Sequence, residues 1–295
     1  MIWYNTATAE PLSPHRLNRS MAFNQDELLD SLDSPHTNRV VQRFRNFAHM
    51  PQGVIDDLAE ESMTENWGTD NFVMEKYLAV HVPWSLKQDR FVSGDDQFYT
   101  TAGHLRTRYG TPLYLAFEEN DRRDPPYYMV AGGSQIVAPE QPSPPKIPDP
   151  PEIPLGAEIV MMHDHILGDH TDRVEFLLDA PPVAQMCAVS GAIQWSLNRN
   201  LELAYWYYGK MNYIIPLYLR DRENVTRSPD IIAPLQVSEE QILVRTVLEP
   251  HMPYANARVA VTRHDELPSW LLDAWNEHAD QMDEDEIEDP EQDEG

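Results

Sequence analysis

From Pro139 to Pro154, half of all residues are proline. Proline fixes φ at about −65° and lacks a backbone N–H, so the stretch can join neither a helix nor a sheet interior. It is expected to run as a stiff, extended connector. Strand-like patterns continue on both sides of it, so the connector is expected to cross the surface of one β-rich domain covering residues 84–277.

The flanks differ in character. Before residue 83 the apolar spacing is helical. Asn24 is a candidate cap ahead of Leu28, Leu29 and Leu32, and a helix from near Pro35 points Val40, Val41, Phe44 and Phe47 inward. Another starts at Pro51 with Val54, Ile55 and Leu58, and a fourth covers Asp70 to Val80. From Phe98 onward, short runs rich in aromatic and β-branched residues predict strands at Phe98–Leu105, Pro112–Glu118 and Tyr127–Ala131. Beyond the connector, strands are expected at Ala157–Met162, Val174–Leu178, Tyr213–Leu219, Ile231–Val237, Ile242–Leu248 and Ala257–Thr262. Pro216 and Pro234 point to edges or bulges. The longest predicted helix is Ala184–Tyr208, ended by Gly209, and the last is Pro268–Met282. No internal repeat is visible.

A net charge of −27 excludes indiscriminate phosphate binding, which needs a surplus of Lys and Arg. Part of that charge is segregated, however: from Glu277 to Gly295 there are eleven carboxylates and no Lys or Arg. This end, 278–295, is expected to be a solvated acidic tail, with a protein partner as an alternative use. The single cysteine, Cys187, permits no internal disulfide framework or thiolate zinc cage and suits a reducing compartment. No signal segment and no apolar run of membrane length are visible, so a cytoplasmic protein with no membrane partner is expected.

The densest chemistry lies in MMHDHILGDHTDRVEFLL, where His163, Asp164, His165, Asp169, His170, Asp172 and Arg173 fall close together. Imidazole and carboxylate are metal ligands, but three residues separate His165 from Asp169, unlike H-x-H-x-D-H. The balance favours a hydrogen-bonded polar turn, with no metal and no cofactor expected. Downstream, Arg199, Lys210, Arg220, Arg222 and Arg227 interleave with Tyr205, Trp206, Tyr207, Tyr208 and Tyr213. Cations beside rings are what a single-stranded nucleic acid needs. Arg106 and Arg108, and Arg122 and Arg123, form further basic pairs. No G-x-x-x-x-G-K-[ST], G-x-G-x-x-G or G-x-S-x-G occurs, so P-loop hydrolysis and nucleophile-elbow chemistry lack their markers.

Taken in order, Asn66-Trp67, FYTTAGHLRTRYGTPLYLAFEEN, DHILGDHTDR, LNRNLELAYWYYGKMNYIIPLYL, MPYANAR and Ser269-Trp270-Leu271 resemble a bacterial family, the domain of unknown function 3825 (DUF3825). The resemblance covers most of residues 55–275 and implies a derived OB-like β-barrel or strongly bent antiparallel sheet with added helices. With the N-terminal helical region (1–83) and the long helix after the His-rich turn read from the residue pattern, an α+β fold is expected. The resemblance also implies RNA binding in RNA processing, repair or defence. On an OB-like face the loop His163–Arg173, the end of the long helix, and Asn256 with Arg258 are expected to converge.

The leading expectation is thus a non-catalytic RNA-binding module. Arg173, Arg199, Lys210 and Arg258 contact phosphate, Tyr208 and Tyr254 stack, and His165 and Asn256 hydrogen-bond to bases or ribose. The alternatives are a metal-dependent hydrolase of a nucleotide or phosphodiester using His163, His165, Asp169 and His170, and an adaptor working through the acidic tail.

Overall fold

The structure is a computed structural model that describes residues 28–29, 38–94, 96–121, 125–154, 156–169, 171–207 and 209–279. The helix predicted from Asn24, apart from Leu28 and Leu29, the pair Arg122 and Arg123, and the acidic segment 280–295 lie outside the described residues. The chain separates into two compact units, Met1–Ile147 and Pro148–Gly295. The division falls inside the proline-rich stretch, not at residue 83, and the N-terminal helices share a unit with the first set of strands.

The first unit runs α1 (Asn38–Phe47), β1 (Ala48–His49), α2 (Gln52–Glu61), α3 (Phe72–Lys87), β2 (Val92–Ser93), β3 (Gln97–Arg106), β4 (Pro112–Glu119) and β5 (Tyr127–Gly133). Its five-stranded sheet has the order β1-β5-β4-β3-β2, with β1 parallel to β5 and the other pairs antiparallel. Aromatic rings fill one side: Phe98 stacks on Phe117 at 5.4 Å and Phe47 meets Tyr127 at 4.9 Å. Buried rings of this kind supply most of the driving force for closing such a layer. A register shift in β3 surrounds Gly103, whose φ is +57° and where a Cβ would stand 2.7 Å from the Tyr77 ring. Only glycine satisfies both demands, and the bulge lets the backbone N–H of His104 donate to the Tyr77 hydroxyl at 2.8 Å.

The second unit runs β6 (Glu158–Met161), two short helical turns (His165–Asp169 and Thr171–Leu177), α4 (Pro182–Leu197), β7 (Leu203–Tyr207), β8 (Lys210–Leu217), β9 (Ile231–Val237), β10 (Gln241–Val244), α5 (Tyr254–Val259) and α6 (Ser269–His278). Its sheet has the order β6-β10-β9-β8-β7, with β6 parallel to β10 and the rest antiparallel. Gln185, Val189, Ala192, Ile193 and Ser196 form the buried stripe of α4 at helical spacing. They face a core that includes Ile215, Leu217, Ile231, Ala233, Leu235, Ile242 and Val244. Pro216 lies past the last residue of β8 paired to β7, and Pro234 past the part of β9 paired to β10, so each missing donor costs no ladder bond.

The two units repeat one topology: a first strand, helical segments, then an antiparallel meander whose last strand pairs in parallel with the first. The correspondence is also local. Helices α3 and α4 carry the same tripeptide in their last turn, Trp84-Ser85-Leu86 and Trp195-Ser196-Leu197. Beyond each Leu, Asp89 (φ +54°) and Asn200 (φ +51°) stand at matching places and adopt the left-handed conformation that short polar side chains tolerate. The N–H groups of Arg90 and Leu201 then close back on Ser85 O at 2.8 Å and Ser196 O at 3.2 Å, which is the same Schellman ending twice.

Several expectations are corrected. The predicted helix Ala184–Tyr208 stops at Leu197, because the left-handed Asn200 reverses the chain, and the aromatic run that follows is strand β7. Val174–Leu178 is a turn of 3₁₀ helix rather than a strand, and Ala257–Thr262 begins inside α5. Among the described residues neither sheet closes on itself, so the α+β class holds without a closed barrel.

Candidate nucleic-acid interface

The connection from β8 to β9 is a long loop that is held by one carboxylate. Asp230, with a fully buried side chain, accepts from the backbone N–H of Leu219 at 2.7 Å and of Arg220 at 2.9 Å. It also accepts from Arg220 Nε at 2.8 Å and Arg227 Nη1 at 3.3 Å. Burial opposes ionisation of Asp230, but the hydrogen bonds from Arg220, Arg227 and Leu219 outweigh it and hold the carboxyl below the usual carboxylate range. The Tyr218 hydroxyl donates across the loop to Val225 O at 2.6 Å, and burial, more than the neighbouring charges, pushes that phenol up.

This loop sets arginines against rings contributed by α4 and the turn before it. Trp195, half-buried near the end of α4, lies under Arg199 at 3.8 Å and near Arg222 at 5.5 Å. It meets Tyr218 edge-on at 6.1 Å. Arg227 covers Tyr218 at 5.2 Å and Arg220 covers Phe176 at 5.0 Å. The four guanidiniums are not equivalent. Arg220 and Arg227 are paired with Asp230 and Asp221, whereas Arg199 and Arg222 bond only to backbone oxygens, Trp195 O at 3.2 Å and Tyr218 O at 2.8 Å. Both are exposed, and neither has a carboxylate partner among the described residues. Two guanidiniums left without acids in a chain of net charge −27 leave an anion-accepting patch on a half-buried indole.

The predicted site residues are spread over several environments. Arg199 belongs to the patch. Lys210 is exposed at the far end of β8 from Pro216, whose carbonyl anchors the end of α4 through Ser196 Oγ at 2.7 Å. At strand rise this is about 20 Å away. Arg173 donates to Val247 O at 2.9 Å, and its short helix contributes Phe176 to the patch. His165 is half-buried in the preceding turn. Tyr208 lies outside the described residues.

Tyr254, Asn256 and Arg258 do come together, on α5, but in the interior. Tyr254, expected to stack on a base, is 1% exposed and stacks on Trp275 at 4.7 Å and 2°. Asn256 donates to the Tyr205 hydroxyl at 3.0 Å, and Arg258, 2% exposed, donates to Val261 O at 3.3 Å. A helix there turns these side chains onto β7, where Tyr205, Trp206 and Tyr207 are themselves buried. The aromatic run therefore builds core rather than a stacking platform.

Among the described residues no group of three or more His, Cys, Asp or Glu is arranged to hold a metal, while His170 and the side chain of Asp169 lie outside them. In the first unit a cavity of about 580 Å³ is lined by His49, Glu118, Glu119, Asp121 and Tyr128. Its carboxylates would repel phosphate. Sequence reasoning missed Trp195. The signal was the Trp-x-x-x-Arg spacing of Trp195 and Arg199, which puts ring and cation on one side of a helical turn. No family model, curated protein or solved structure matches this chain.

Proposed function

We propose that the second unit binds single-stranded RNA at the patch around Trp195. The observation that carries this reading is the pair of exposed guanidiniums, Arg199 and Arg222, which share one half-buried indole and lack acid partners among the described residues. In such an arrangement the outer N–H groups take phosphate oxygens, and a base stacks on a guanidinium plane or displaces it from the indole. The likeness to an OB-like module that we propose is one of use: a mixed sheet supports a loop and a helix end whose cations and indole grip unpaired nucleotides. The Asp230-held loop keeps Arg222 in place before any ligand arrives, which lowers the ordering cost of binding.

Anisotropy of a labelled single-stranded RNA pool, titrated with the full chain over a range of salt, tests this. The expected result is binding that weakens as salt rises, with a slope equivalent to about two phosphates. Binding that ignores salt, or none at low salt, would sink the proposal.

A further inference from the structure

We infer that the acidic segment 280–295 of this chain docks on the Trp195 patch and competes there with nucleic acid. The inference rests on the same patch as the proposed RNA binding, but not on RNA being its ligand.

The first unit shows what its copy of this helix ending does. Gln88, which follows Leu86 as Arg199 follows Leu197, reads the backbone of an extended stretch of the same chain: its Nε2 donates to Lys146 O at 2.8 Å and its Oε1 accepts from Lys146 N at 2.7 Å. Alongside, Arg90 Nη1 donates to Ser143 Oγ at 2.9 Å, and the His104 ring bonds to Pro145 O at 2.8 Å. The end of α3 is thus a seat for extended peptide. The end of α4 has the same Schellman geometry, with Arg199 in place of Gln88. An amide that reads peptide groups has been exchanged for a fork that reads carboxylates, and Arg222 adds a second such fork.

The chain supplies the complementary segment. Residues 280–295 carry ten carboxylates and no Lys or Arg. They follow α6, which belongs to the same unit as the patch. Such a segment reaches about 55 Å when extended, and a compact unit of this size is about 40 Å across, so most of its surface, though not the point diametrically opposite the end of α6, lies within range. A covalently attached segment acts at an effective concentration in the millimolar range, so weak charge pairing suffices for occupancy.

The test uses the full chain with every Asp and Glu of 280–295 changed to Asn or Gln, together with a labelled peptide of residues 280–295. The peptide should bind at low salt, single-stranded RNA should displace it, and Arg199→Glu with Arg222→Glu should weaken it about tenfold. Arg199→Gln, which installs the residue found at position 88, should weaken it about threefold if the double variant misfolds. The intact chain should bind RNA about fivefold more weakly than the neutralised chain. Absence of peptide binding, or equal binding by the arginine variants, overturns the inference. Peptide that binds the patch where RNA does not removes the RNA reading, and the competition with it, and keeps the docking; RNA binding without peptide binding overturns the docking and keeps the RNA reading.

Discussion

Asp230 holds Arg220 twice, through the backbone N–H at 2.9 Å and through Nε at 2.8 Å. The same carboxylate binds Leu219 and Arg227, so one buried acid closes the β8–β9 loop that carries Arg222. Asp230→Ala should cost about 2 kcal/mol in urea unfolding, because Leu219 N–H and the part-buried Arg227 lose a charged acceptor, while the exposed Arg220 can turn to water. The sign of its pH dependence follows from the lowered folded-state pKa. Its contribution is present above the unfolded value and is lost as pH falls through the lower folded one, so the gap between native chain and variant should narrow only in strong acid.

Tyr127 is expected to titrate late. Burial first, and the charge of Glu119 second, push its phenol up to about 12. A raised pKa makes its contribution complete below pH 10 and lost as pH rises toward 12. Ultraviolet difference titration of the native chain against Tyr127→Phe should place this ionisation in that upper window, and Glu119→Gln should move it down.

Ser85 and Ser196 occupy equivalent places but do different work. Ser196 Oγ donates to Pro216 O at 2.7 Å, whereas the buried Ser85 hydroxyl has no partner among the described residues. Ser196→Ala should therefore destabilise by about 1–2 kcal/mol, and Ser85→Ala by less than about 0.5 kcal/mol or not at all. Thermal melts of the two variants side by side decide the point.

At the patch, Arg199→Ala and Arg222→Ala should each reduce the salt slope of RNA binding by about 0.7 and weaken it across all sequences. Tyr254→Phe should leave the affinity unchanged, since the ring is sealed against Trp275. A loss of affinity in the tyrosine variant with an intact melting profile would place the site elsewhere.

Much of the element list was legible in the residues. Ile231–Val237 has the predicted bounds, and Gln97–Arg106, Pro112–Glu119 and Tyr127–Gly133 differ from expectation only at their ends. Alternating β-branched and aromatic residues bounded by glycine, proline and acid leave little choice there. Misreadings fell where short apolar runs fit either period. Val174–Leu178 and Ala257–Thr262 satisfy a strand pattern, but they pack as helical turns against neighbours distant in the chain. The run Tyr205–Tyr207 fell inside the predicted helix Ala184–Tyr208, where consecutive rings would point all round the axis. One left-handed residue, Asn200, moved it into a strand whose two faces are both covered.

The residue order alone determined the α+β class, the placement of most strands, the stiff proline segment and the segregation of acid at one end, because these follow from local backbone preference and charge. Tertiary structure decided which groups meet. Burying apolar surface drew α5 inward with Tyr254, Asn256 and Arg258, while Asp230 turned the β8–β9 loop back over Trp195. No pattern along the chain encodes that pairing of Arg199 and Arg222 on one indole, since it depends on the register of a sheet and on a single buried carboxylate.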